Sequence, residues 1–214
     1  MDGDTPYATD LALVERLRAG DEDAFMALVE RLQPSMLRVA RMFVSTQAVA
    51  EECVQECWLG VLTGLGKFEG RSSLRTWIFR ILTNIAKTRG QREGRSVPFA
   101  SLAGDDLDAP SYDPTTFLGE GEAAAGHWSS LPNDWRSIPE ERLLSSETRA
   151  VVAGVLASLP PMQAEVLRLR DVAGWTSDEV RNALDLTETN QRVLLHRARA
   201  KVRRALDGYL RDEA

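Results

Sequence analysis

The 214-residue chain carries only two cysteines and two histidines, too few for a disulfide framework or an ordinary zinc site. Cys53 and Cys57 look like half of a metal site, but no second Cys pair exists, and His127 and His196 stand far off in sequence. Adjacent turns of one helix also give poor disulfide geometry, so both thiols are expected in a core. No apolar run approaches the ~18 residues needed to span a bilayer. Met1-Asp2-Gly3-Asp4 lacks the basic and apolar regions of a signal peptide. Also missing are a Ser-His-Asp order, a phosphate-cradling Gly loop and a paired-carboxylate constellation. These absences point to a soluble, cytoplasmic protein that is not an enzyme, holds no metal or cofactor and meets no membrane.

What the chain does have is charge, unevenly spread beneath a formal net value of −6. From Lys67 to Arg95 the bases Lys67, Arg71, Arg75, Arg80, Lys87, Arg89, Arg92 and Arg95 outnumber Glu69 and Glu93. From Ser96 to Glu147 the balance reverses: Asp105, Asp106, Asp108, Asp113, Glu120, Glu122, Asp134, Glu140, Glu141 and Glu147 face only Arg136 and Arg142. A second basic row follows: Arg192, His196, Arg197, Arg199, Lys201, Arg203 and Arg204 have no acid among them. Two basic blocks separated by an acidic tract imply two anion-binding surfaces.

Apolar periodicity predicts an all-α fold of two helical domains, 1–95 and 147–214, the second a helix-turn-helix. Leu11 to Val44 repeats at threes and fours with a break near Gly20-Asp21, where Asp21 suits an N-cap. A helix from Ala48 to Leu65 has Cys53, Val54, Cys57, Trp58, Val61 and Leu62 on its apolar face and Glu51, Glu52, Gln55 and Glu56 opposite. A helix from about Ser73 to Thr88 is expected to bury Leu74, Ile78, Ile81, Leu82 and Ile85. Periodicity then fails over 96–146, a stretch too long for an ordinary loop. It reads as an acidic linker, disordered until something holds it. Its isolated aromatics Phe99, Tyr112, Phe117, Trp128 and Trp135 suit either local packing or anchoring to a large partner.

Beyond the linker, Val151, Val152, Val155, Leu156 and Leu159 make a first helix, and Pro161 suits the first turn of the next. That helix reaches Asp171 and Gly174 closes it. Thr176 to Glu179 fits a capping box, and Asp185 falls where the turn needs a left-handed residue. The last helix, from Thr187, puts Gln191, Leu195, Ala198, Val202 and Leu206 on one face and Arg192, His196, Arg199 and Arg203 on another. Glu188, Thr189, Asn190, Arg192, Val193 and His196 are placed to meet base edges, and the later arginines suit phosphates. The plain alternative is a solvated basic helix face. On the Ser73–Thr88 helix, Ser73, Trp77, Arg80, Asn84, Lys87 and Gln91 form a different stripe. Cations with an aromatic and an amide suit unstacked single-stranded nucleic acid. Trp77 could equally be packed core, and Asn84 could merely face water.

Both halves resemble the extracytoplasmic-function sigma factors, the small two-domain class of bacterial RNA polymerase specificity subunit. Ala50-Glu51-Glu52-Cys53-Val54-Gln55-Glu56, Phe68-Glu69-Gly70, Arg75-Thr76-Trp77-Ile78 and Ile81 to Lys87 resemble the family's second sigma region. Leu159-Pro160, Val166 to Arg170 and His196-Arg197-Ala198-Arg199 resemble its fourth. The resemblance implies that Glu51, Glu52, Gln55 and Glu56 bind the clamp helices of the largest polymerase subunit. It implies that Arg71, Ser73, Trp77, Arg80, Asn84 and Lys87 meet the melted minus-ten element, with Asn84 near a flipped-base pocket that the 68–73 loop helps form. Asn190, Arg192, His196, Arg197, Arg199, Lys201 and Arg203 would meet the minus-thirty-five element. It further implies contact with the polymerase flap, a linker threading the RNA exit channel, and an anti-sigma factor as a possible regulator. At the start of the recognition helix, Asn190 to Leu194 departs from the family's pattern, so no promoter preference carries over. Arg181 replaces a usual small residue, and Gln191 a usual apolar one. The rival reading is a helix-turn-helix regulator that binds duplex DNA without polymerase. It accounts for the C-terminal half, but not for the Ser73–Gln91 stripe or the acidic face at Glu51–Glu56.

Overall fold

Side-chain caps set most of the helix starts. In the computed structural model, which describes residues 6–94 and 146–212, α1 (Pro6–Arg18) and α2 (Glu22–Arg41) meet at the expected break. There the Asp21 carboxylate accepts from the Ala24 N–H at 2.9 Å. Thr46 caps α3 (Gln47–Gly64) through the Val49 N–H, and a 3-10 turn at Leu65–Lys67 follows. Ser73 caps α4 (Leu74–Arg92), while Asp10 accepts from the Leu74 N–H at 2.7 Å. Helix α4 runs one turn past the expected end at Thr88, because nothing in Arg89-Gly90-Gln91-Arg92 breaks it until the positive φ of Gly94.

The second block begins with α5 (Ser146–Ser158). Helix α6 (Pro161–Leu167) has proline in its first turn, where the missing N–H costs nothing. It continues through a π turn at Arg168–Val172 and stops at Gly174, φ +68°. The capping box forms as expected at the start of α7 (Ser177–Leu184), and Asp185 adopts the left-handed conformation, φ 58° and ψ 51°. Helix α8 (Glu188–Asp212) completes the described chain. Residues 95–145 lie outside the description, and with them the linker, its aromatics and His127.

Cys53, Val54, Cys57, Trp58 and Val61 are buried as expected, and burial pushes the Cys57 thiol up to about 12. Leu62 departs from expectation, being 51% exposed. At i+7 from Gln55 and i+3 from Leu59 it continues the acidic stripe rather than the cysteine stripe. On α4, Ile81 and Ile85 are only half-buried, whereas Phe79, Thr83 and Ala86 are buried to the limit. The cause is a second neighbour, since α7 lies along the side of α4 that α3 leaves open. Phe79 meets Trp175 edge-on at 5.1 Å, and Thr83 Oγ1 donates to the Ala183 carbonyl at 2.7 Å. One apolar cluster therefore runs from Val14 through Phe79 to Val180 and Leu194. On α8, Gln191, Ala198 and Leu206 are buried as expected, with Leu194 added.

Candidate nucleic-acid interfaces

Helix α8 is held from two sides. Thr187 Oγ1 accepts from the Asn190 N–H at 3.2 Å. Buried Gln191 accepts from the Ser177 hydroxyl at 2.6 Å, which fastens α8 to the start of α7. The polar residue at this inner position thus ties the two helices together. Arg192, His196, Arg199 and Arg203 are exposed, while Asn190, Arg197 and Lys201 are half-buried. Arg192 reaches Glu188 one turn back at 3.1 Å, an exposed pair worth about 0.5 kcal/mol or less. Arg199 grips Asp171 through both Nε and Nη2, at 2.9 and 2.6 Å. A phosphate would have to displace that carboxylate.

The α4 stripe has a different setting, because α7 covers part of it. Ser73 Oγ donates to Glu179 at 2.6 Å. Arg75 spans both Glu179 oxygens, at 3.0 and 2.7 Å, and lies 4.8 Å from the centre of the Trp175 ring. Burial pushes the Glu179 carboxyl up, but hydrogen bonds from Arg75, Ser73 and the Thr176 N–H outweigh it and hold it at about 2. Asp185 accepts from Lys87 at 2.7 Å and Arg80 at 2.5 Å, and these bonds hold its carboxyl below the ordinary value. The same turn thus uses its left-handed residue as an acceptor for two cations of the other block. Arg38 of α2 makes a parallel contact with buried Glu165 of α6, at 2.8 Å.

Two cavities divide the stripe. A cleft of about 380 Å³ is lined by Ser72, Thr76, Trp77 and Arg80 from one block and Arg181, Asn182, Asp185 and Leu186 from the other. Trp77 is both packed and available, with its ring 5.1 Å from Phe68 and its edge close over Gly64. Asn84 is exposed and lines a separate cavity of about 220 Å³ between α3 and α4, with Glu56, Ile85, Thr88, Arg89 and Arg92. Among the described residues, Asn84 and Ser72 of the 68–73 loop thus line different cavities. Arg71, its side chain 86% exposed, pairs with Glu69 at 3.1 Å. On α3, Glu51, Glu52, Gln55 and Glu56 are all exposed. Glu51 accepts from Gln47 at 2.9 Å, Glu52 pairs with Arg89, and Leu59 extends the face at 65% exposure.

Sequence reasoning did not find the Glu179, Asp185 and Glu165 contacts. Glu179 already had a local reading as a capping residue and Asp185 as a turn residue, and a local reading hides a second partner about a hundred residues away; Glu165 carried no local signal at all.

Comparison with known proteins decides the family. The Sigma-70 region 2 model matches residues 28–96 and the Sigma-70 region 4 model matches residues 149–202. The RNA polymerase sigma-H factor of Pseudomonas aeruginosa is 30% identical over 203 residues, covering 95% of this chain and 96% of its own. The ECF RNA polymerase sigma-E factor of Haemophilus influenzae is 29% identical over 194 residues, 91% of this chain and 93% of its own. The chain belongs to the extracytoplasmic-function sigma factors. Solved structures similar to it include CnrH in complex with the cytosolic domain of CnrY, at 22% identity and TM-score 0.46, covering 93% of this chain and 97% of that one. As a sigma factor the protein serves RNA polymerase in promoter recognition and transcription initiation, which sets aside the polymerase-independent regulator. Among the described residues no helix is long and apolar enough to cross a membrane.

Proposed function

We propose that the sigma factor divides its work among three surfaces. The first half of α8, with Asn190, Arg192 and His196, reads the minus-thirty-five duplex, and Arg197, Arg199, Lys201 and Arg203 hold its phosphates. The α4 stripe of Ser73, Trp77, Arg80, Asn84 and Lys87, with Arg71 beside it, takes the melted minus-ten strand. Glu51, Glu52, Gln55 and Glu56 of α3 bind the clamp helices of core polymerase. Flap contact, a linker in the RNA exit channel and control by an anti-sigma factor belong to the same reading. So do the division at 1–95, 96–146 and 147–214, the cytoplasmic location and the lack of catalytic activity of its own.

The observation that supports the minus-ten assignment best is Asn84, an exposed amide at the mouth of a cavity flanked by Arg89 and Arg92. Amide edges read extruded bases, and guanidinium groups follow the backbone beside them. Substituting Asn84→Ala or Trp77→Ala should lower the permanganate reactivity of the promoter bubble roughly tenfold or more while leaving core binding intact. Unchanged bubble formation in both variants would remove α4 from that role.

A further inference from the structure

Helix α1 carries none of the roles proposed above, yet it grips the loop beside the α4 stripe at both ends. At one end Arg18 donates from Nε and Nη2 to the Leu65 carbonyl, both at 3.2 Å, and from Nη2 to the Phe68 carbonyl at 2.7 Å. Its Nη1 is fixed by Glu15 at 2.7 Å. At the other end Asp10 accepts from the Leu74 N–H at 2.7 Å, in the first turn of α4. Between these grips the loop bends at Gly70, φ +69°, where an added Cβ would sit 3.4 Å from Leu11 Cδ2 of α1. We infer that α1 is a positioning element for the melted strand: Arg18 and Asp10 hold the 65–74 segment in one arrangement before DNA arrives. The inference rests on the assignment of Trp77 and the α4 stripe to the minus-ten element.

Both grips match what the backbone offers. The C-terminal end of a helix or 3-10 turn presents carbonyl oxygens and partial negative charge, and the N-terminal end of the next helix presents N–H groups and partial positive charge. A guanidinium at the first and a carboxylate at the second suit both the hydrogen bonds and the sign. The hold passes to the stripe through Phe68. Its carbonyl is taken by Arg18, and its buried ring lies 5.1 Å from the Trp77 ring. Glu69 and Arg71 stay exposed within a segment whose two ends are fixed. Such a loop has little conformational entropy left to lose when a strand enters, and it presents one set of groups to each base. Released from α1 it would order only on binding, with weaker capture and poorer discrimination.

The test uses holoenzyme assembled from core polymerase and the full chain, with one promoter from which the unaltered holoenzyme starts transcription. Labelled non-template strands across its minus-ten element, unchanged or with each position replaced by the other three bases, give the affinity and the ratio of best to worst base. Arg18→Ala should lower the affinity roughly tenfold and largely erase the ratio. Arg18→Lys, which keeps one cationic donor, should recover part of both. Asp10→Asn, which keeps the acceptor, should retain more of both than Asp10→Ala. A merely structural role would reduce the fraction of active protein and leave the ratio where it was, since a ratio does not depend on that fraction. A ratio unchanged in Arg18→Ala and Asp10→Ala but lost in Asn84→Ala would overturn the role of α1 alone. A ratio unchanged in Asn84→Ala and Trp77→Ala as well would overturn the α4 assignment beneath it.

Discussion

Two basic surfaces on one chain carry similar side chains in opposite states. On α8, Arg192 and His196 are exposed, and Arg192 pairs with Glu188 of its own helix. On α4, Arg75, Arg80 and Lys87 are neutralised by carboxylates that arrive from the other block. Arg199 stands between these cases, since Asp171 comes from within its own block. Basic composition alone therefore does not tell the two surfaces apart; the block that supplies the paired carboxylate does. The pairs printed for α8 stay within its own block, whereas those of α4 reach across to the other.

The contrast is broken most severely at the apolar seam. Phe79→Ala removes a fully buried ring that meets Trp175 and should cost about 3–5 kcal/mol in urea unfolding, loosening α4 and α7 together. Glu179→Gln keeps a hydrogen-bonding group but removes the charge facing Arg75, for a loss of roughly 2 kcal/mol. Its pH dependence has a defined sign. The carboxyl is held at about 2 against an ordinary 4.5, so its contribution is full above 4.5 and is lost as pH falls through about 2. Thermal melting should show the unaltered chain losing stability over that window faster than Glu179→Gln does.

The other surface gives smaller effects on the fold. Arg192→Ala should weaken promoter duplex discrimination by about 1–3 kcal/mol, if its partner is a base edge. It should leave stability within about 0.5 kcal/mol and minus-ten strand binding unchanged. Smallest of all, Arg71→Ala breaks one exposed pair with Glu69 and should change unfolding by less than ~0.5 kcal/mol.

Legibility in the sequence followed the range of the interactions. Asp21, the Thr176–Glu179 box and Asp185 were readable because their partners lie within a few residues. The α3 stripe of Cys53, Val54, Cys57, Trp58 and Val61 was readable because one neighbouring layer buries one face. Helix α4 was read with one buried face when it has two. Thr83 and Phe79 carry no apolar repeat of their own strong enough to announce the second, and Arg80 and Lys87 at its rim read as solvent-facing. Leu62 was misplaced by a single position around the α3 circumference. The exposed residues of α8 were readable as a row, but the Asp171 carboxylate that holds Arg199 lies on another element, beyond any helical spacing.

The most direct test of a two-surface sigma factor is run-off transcription on a genomic fragment library, with bacterial core polymerase alone and with the chain added. The account predicts new discrete starts that share two upstream elements, lost with Arg192→Ala and His196→Ala at one element and with Asn84→Ala at the other. Absence of new starts together with absence of binding to core would contradict it.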